Sequence, residues 1–401
     1  MKSLTGFLMS WYLAFALSFP YVPDAMAQTA QFTFQPGDLV EIERARIISK
    51  ASAYLKERPV TVTAQRAERS AGTVHDFYSE GDYWWPDPEN PDGPYIRRDG
   101  LTNPDNFIAH RRAMVRLSEI IGTLTSAYMI TGDKTYASHA HDHLKAWFVD
   151  ESTRMNPSLL YGQAIEGRST GRSIGIIDTI HLTEVARGAK ILGLDEVLPA
   201  RDFQSIKDWF NEYLDWLTTH PYGLKERVHP NNHGVCWSMQ VASFADLVDR
   251  QAELDWIRQQ FKTVYLAEMM AEDGSFPAEL ARTKPYGYSL FVFDAMAAVA
   301  QISSTPEDDL WAFQLPDGRG LKKGMSFLYP FIEDKSSWPY PQDVLYWDEW
   351  PVRHPGLLFA ALNYSDTRYL RLWKTLKADP ETPEVLRNLP LRHPLLWVNY
   401  R

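Results

Sequence analysis

Apolar residues return every three or four positions in one segment after another, and that recurrence restricts the chain to a fold of packed helices. Leu117, Ile120, Ile121, Leu124 and Tyr128 fall on one helical face, and Gly132-Asp133 then supplies a helix stop followed by an N-cap. Tyr136, Ala140, Leu144 and Trp147 resume the pattern, so the pair reads as an αα-hairpin. Further helices are marked by Ile177 to Ile191, Phe203 to Leu217, Trp237 to Val248, Leu254 to Tyr265 and Tyr288 to Val299. Strand alternation is scarce, with Val60-Thr61-Val62-Thr63 as a short exception. The expected architecture is mainly α: a single (α/α) toroid, or incomplete barrel, of helical hairpins with long aromatic-rich loops.

With 401 residues, 45% of them hydrophobic, the chain can bury a large core without staples. Cys236 is the one cysteine, which excludes an internal disulfide and a Cys-rich zinc site. Lys2, the apolar run Phe7 to Phe19 and Ala25-Met26-Ala27 form the pattern of a secretory signal peptide cleaved after Ala27. The run is too short for a membrane span. The expected organisation is a signal peptide over 1–27 and one domain over 28–401, with a periplasmic or secreted location. The formal charge is −10, and Lys2 and Asp24 cancel within the leader. Bulk charge therefore speaks against a nucleic-acid partner, and any acidic ligand requires a local basic groove.

Three stretches break the helical rhythm. Residues 78–106 are rich in Trp, Pro, Asp and Gly, 161–175 in Gly, Arg and Ser, and 336–355 in Trp, Pro and acid. Long irregular segments inside a compact domain are usually functional or disordered, and the aromatics argue against disorder. The 78–106 segment is a candidate lid over a groove, with Trp84 and Trp85 to stack on a ligand and Arg97 to meet its charges. Arg168 and Arg172 offer two further guanidiniums suited to carboxylates, and Trp347 is a candidate for a distal subsite. A packed surface loop accounts for the same residues equally well.

Two compact clusters remain. In His229-Pro230-Asn231-Asn232-His233-Gly234-Val235-Cys236-Trp237, N-capping explains Asn231 but not two Asn followed by His at one helix start. In Glu279-Leu280-Ala281-Arg282-Thr283-Lys284-Pro285-Tyr286-Gly287-Tyr288, Arg282, Lys284 and two tyrosines precede an apolar helix. Local positive charge there would lower a tyrosine pKa. His139, His141 and His143 alternate on a helix and are read as packing or surface residues; no HExxH or EF-hand run occurs, so neither a catalytic metal nor a cofactor is expected.

Asn231-Asn232-His233 with Trp237 nearby, followed by Glu279-Leu280-Ala281-Arg282 and a tyrosine, resembles the alginate lyase superfamily, helical-toroid polysaccharide lyases acting on alginate and related polyuronates. The resemblance runs from about Tyr78 to Val299. It implies β-elimination on an acidic polysaccharide, with a 4,5-unsaturated uronate end as product. Asn232 and Arg282 would neutralise the substrate carboxylate, His233 would assist or act as base, and Tyr288 would carry the proton. Asn231, Lys284 and Tyr286 would help to hold substrate. The departure from the family pattern is at the tyrosine, where Tyr286-Gly287-Tyr288 replaces a Tyr-His-Asn-Tyr-like run; Tyr288 is preferred because it lies six residues after Arg282 and opens the helix. A neutralising donor to a developing oxyanion is worth roughly 2.7–4 kcal/mol, and a positioned acid or base about 10²–10⁴-fold. Two other classes stay open at this stage. One is a glycoside hydrolase using two of Asp87, Glu166, Asp178, Glu279 and Asp348; the other is a polyuronate-binding protein without activity.

Overall fold

The computed structural model describes residues 34–398; the signal-peptide segment lies outside the described residues. Among the described residues the chain begins with helices α1 (Pro36–Tyr54), α2 (Ala109–Thr131), α3 (Lys134–Phe148), α4 (Leu182–Leu194), α5 (Ala200–Thr219), α6 (Pro221–Arg227) and α7 (Asn232–Leu247). They are followed by α8 (Gln251–Gln260), the one-turn α9 (Pro277–Leu280), α10 (Pro285–Ser303), α11 (Leu321–Glu333), α12 (Pro355–Asn363), α13 (Thr367–Thr375) and α14 (Pro383–Arg387). Consecutive helices pack in pairs, α2 with α3, α4 with α5, α7 with α8, α10 with α11 and α12 with α13. The first member of each pair packs against the first member of the next, giving an inner row α2, α4, α7, α10, α12. This is the α/α toroid architecture.

The sequence of each row matches its place. Nearly every residue of α7 and α10 is buried, including Trp237, Phe244, Phe291 and Phe293. A helix that is apolar all round has to be enclosed. In α5 only one stripe is buried, Ile206, Trp209, Phe210, Tyr213, Leu214 and Leu217, as an outer helix requires. The C-terminal segment tucks back against α4: the buried Glu184 accepts Nδ1 of His393 at 2.8 Å and the backbone N–H groups of Arg392 and His393.

Departures from the helical pattern have local causes. Val60 to Thr63 is not a strand; Val62–Ala64 is a 3₁₀ turn, because the Thr61 hydroxyl accepts the N–H of Thr63 and competes with a ladder. The stretch from Ile177 begins as a 3₁₀ helix, Ser173–Thr179, before α4 starts at Leu182. Beyond α8, Phe261–Met269 continues as a π-helix. The strands lie in two of the irregular stretches: β1 (Tyr78–Glu80) pairs in parallel with β4 (Tyr161–Ala164), and β2 (Trp84–Trp85) pairs antiparallel with β3 (Ile96–Arg97).

Candidate active site

The helix starts of α7 and α10 open on one cleft, with a volume of about 370 Å³. Asn231 caps α7, its side-chain oxygen accepting the N–H of His233 at 3.2 Å. That cap puts Asn232 and His233 in the first turn, where the N–H groups and the helix dipole favour an anion. Asn232 is held by Glu279 of α9 at two points, backbone N–H to Oε1 at 2.7 Å and Nδ2 to Oε2 at 2.8 Å. An amide nitrogen has two hydrogens, so one N–H of Asn232 remains for the cleft. Burial pushes the Glu279 carboxyl above its ordinary range, against the bonds from Asn232.

His233 gives Nδ1 to the buried Glu226 at 2.6 Å. A carboxylate oxygen can only accept, so Nδ1 carries the hydrogen and Nε2 is the ring nitrogen left to the cleft. His229 lies beside it, ring centroids 5.2 Å apart, and burial followed by the His233 charge lowers the His229 pKa.

Across α10, Asp343 accepts the N–H groups of Tyr286 and Gly287, each at 2.9 Å, and so caps this helix from the 336–355 stretch. Gly287 makes room for it, since a Cβ there would lie 2.8 Å from Asp343 Oδ2. The Tyr-Gly-Tyr run is thereby explained. Burial raises Asp343 to about 6 against those two bonds. Tyr288 then lines the cleft, its hydroxyl 2.5 Å from that of Tyr83 and the Arg282 guanidinium 4.7 Å from its ring centre. The expected lowering of a tyrosine pKa is reversed here: burial pushes the Tyr288 phenol well up, and Arg282 opposes without prevailing.

The walls are basic. Arg97, Arg172, Arg282 and Arg387 all line the cleft, which supplies a local positive groove on a chain of net charge −10. Asp99 pairs with both Arg282, at 3.0 Å, and Arg97, at 2.6 Å, pinning the 78–106 segment over the site. Arg172 donates to the Gln163 carbonyl and side chain, each at 2.9 Å, and burial lowers it to about 10.

Among the residues singled out from sequence, Trp84, Arg97, Arg172, Asn231, Asn232, His233, Arg282 and Tyr288 share this cleft. Five do not line it. The Tyr286 hydroxyl donates to the Phe331 carbonyl at 2.9 Å, and Trp347 packs on its ring. Lys284 is buried in an ion pair with Glu384 at 2.8 Å. Trp85 bonds the Leu101 carbonyl, and Arg168 bonds the Tyr95 carbonyl and lies over Trp84. Tyr83, His229, Gln163 and Arg387 line the cleft without having been assigned a role. Tyr83 and His229 sit inside runs already notable in the sequence, whereas nothing near Arg387 signals it.

This arrangement suits elimination better than hydrolysis. Of the five carboxylates considered for a hydrolase, only Asp178 reaches the cleft, and it is engaged by Ser79 at 2.5 Å and Gln163 at 3.2 Å. The other lining carboxylate, Asp82, is buried between Arg111 and Arg387; burial works against its charge, but the two guanidiniums win and hold it below the usual range, the opposite of a general acid. His139 and His143 both reach the Glu57 carbonyl and His141 bonds Asp202. Among the described residues no group of three or more His, Cys, Asp or Glu side chains is placed to hold a metal ion, and no helix is long and apolar enough to cross a membrane.

Residues 61–338 match the alginate lyase family. The chain belongs to that family. A structure of an alginate lyase from Bacteroides ovatus superposes with a TM-score of 0.78 at 31% identity, covering 90% of this chain and 97% of that one. Alginate lyase A1-III from Sphingomonas species A1 shares the fold at 15% identity, with a TM-score of 0.54 over 88% of this chain and 94% of its own. A variant of A1-III complexed with a tetrasaccharide gives 0.57, again at 15% identity, over 92% and 98%. A search of curated proteins found no match. As a member of the alginate lyase family the chain is a polysaccharide lyase, and neither the hydrolase nor the binding-protein alternative is favoured.

Proposed function

We propose that this lyase cleaves mannuronate-rich alginate by syn β-elimination, outside the cytoplasm, with Tyr288 as the proton carrier. The observation that carries the reading is the cleft wall itself: one buried tyrosine hydroxyl beside Arg282, with Asn232 and His233 lining the same space. The free N–H of Asn232, the Arg282 guanidinium and His233 meet the uronate carboxylate and take up charge as C5 loses its proton. Tyr288, as phenolate, takes that proton; the C4–C5 double bond forms while the C4–O4 bond breaks. The same phenol then protonates the departing O4 and returns to its starting state. In mannuronate and glucuronate H5 and O4 share a ring face, so one group can serve both steps. Guluronate places them on opposite faces and needs two. Burial works against that phenolate, and the Arg282 guanidinium beside the ring offsets part of the cost. Residues 78–106 act as the lid, through Trp84 stacking and the Asp99 clasp.

The test is incubation of the mature protein with polymannuronate, polyguluronate and glucuronan, following ultraviolet absorbance of the new double bond. Absorbance should rise fastest on polymannuronate. Shortened polymer with saturated ends, or no shortening of any of the three, would overturn the proposal.

A further inference from the structure

A second hollow, of about 520 Å³, adjoins the active cleft, and His229 lines both. Its floor is Trp256 of α8, half-buried, with the indole set edge-on against Trp237 at 5.7 Å and 82°. Trp237 lies one helical turn after His233 on α7, so the platform is fixed to the helix that carries the cleft residues. Arg227, at the end of α6, holds its guanidinium 5.3 Å from the Trp256 ring centre. Among the described residues that guanidinium makes no ion pair and donates no hydrogen bond, unlike the cleft arginines Arg282 and Arg387. The opposite wall comes from the π-helical segment Phe261–Met269, which brings Val264 and Met269 to the hollow. π-Turns of this kind are frequent at functional sites. Glu268, exposed on that wall, is the carboxylate among the lining residues and repels an anionic ligand from its own side.

We infer that this hollow is a distal subsite for one uronate of the polymer, next to the active cleft on the far side of His229. The sugar face lies on Trp256 and its carboxylate meets Arg227. The inference rests on the polyuronate-lyase reading and extends the substrate track from the Trp84 and Arg172 wall, through the catalytic centre, past His229. A flat aromatic face and an unpaired guanidinium, continuous with a basic cleft, match a repeating sugar acid.

The experiment measures KM and kcat on a ladder of oligomannuronates for wild type, Arg227→Gln, Trp256→Ala and Trp256→Phe. Binding of the same oligomers to Tyr288→Phe, alone and combined with Arg227→Gln, is measured by titration calorimetry. Arg227→Gln and Trp256→Ala should raise KM for long oligomers by about tenfold, with the penalty shrinking as the oligomer shortens. kcat should hold, and Trp256→Phe should recover most of the loss. The calorimetric affinity should fall likewise, only for long oligomers. Equal penalties at every length, or none at any length, would overturn the subsite while leaving the lyase reading intact. Absence of both cleavage and binding of every oligomannuronate would overturn that reading, and the subsite with it.

Discussion

Glu279→Gln isolates the support of Asn232 from the chemistry of Asn232. The native carboxylate accepts two N–H groups from one residue, at 2.7 and 2.8 Å, and Glu279 is itself 1% exposed. Glutamine keeps one acceptor and turns an NH₂ toward the other donor, so one bond is lost and two donors face each other. Hydrogen bonds to charged groups are worth about 1.5–3 kcal/mol, and one such loss sets the expected fall in stability. Part of it is returned because burial of the native carboxylate is itself unfavourable. Removing an oxyanion donor outright costs roughly 10²–10³ in kcat. A misdirected Asn232 should lose less, about 10- to 100-fold, with KM nearly unchanged because the interaction strengthens as charge develops. The assay is kcat and KM on polymannuronate by ultraviolet absorbance, alongside chemical denaturation. Wild-type kcat in a folded Glu279→Gln protein would refute the positioning role. Complete inactivity there, with Tyr288→Phe still active, would point to Glu279 as an acid and to hydrolysis.

Three further outcomes follow from the same geometry. Glu226→Gln preserves an acceptor for His233 Nδ1 and should keep a measurable fraction of kcat, whereas Glu226→Ala frees the imidazole and should lose about tenfold more; equal rates in the two variants would argue against an orienting role. Asp343→Ala leaves two N–H groups at the start of α10 without their cap and should cost about 1–2 kcal/mol in denaturation, with a fall in kcat through Tyr288 that Asp343→Asn partly restores. Despite burial, which works against it, Glu119 is held at about 2 by Arg392, Tyr54, Lys50 and Arg116. A depressed carboxylate stabilises the fold above its unfolded pKa, so this contribution, of about 3 kcal/mol at most, is present at neutral pH and lost as pH falls from 4.5 toward 2; the stability gap between wild type and Glu119→Gln should close over that window.

The helices from α2 to α10 were largely legible because most carry an apolar period, and the first-turn placement of Asn232 and His233 was legible because Asn231 marks a helix start; α10 was read as opening at Tyr288 but begins at Pro285, because its cap, Asp343, is remote in sequence. Local runs also marked Arg282. What could not be read was direction. Tyr286 and Tyr288 are two residues apart, roughly 200° around a helix, so only one can face the cleft; Tyr286 instead reaches Phe331. Lys284 looked like a substrate contact because its partner, Glu384, is a hundred residues away in sequence. Arg387 was missed for the same reason: α14 reaches Tyr83 and Asp82 only through the tertiary fold. The tyrosine pKa was misjudged because sequence reveals neighbouring charge but not burial, and burial dominates at Tyr288.

The most direct test of the mechanism is Tyr288→Phe on polymannuronate, read as the rate of double-bond formation with polymer binding measured in parallel. The substitution removes one hydroxyl, and with it both proton transfers, from a side chain already packed beside Arg282. The mechanism predicts a loss in kcat of at least about 10²–10⁴-fold with binding retained. A variant that forms the unsaturated product within a few-fold of the wild-type rate would contradict it, and would shift the proton transfer to another group in the cleft.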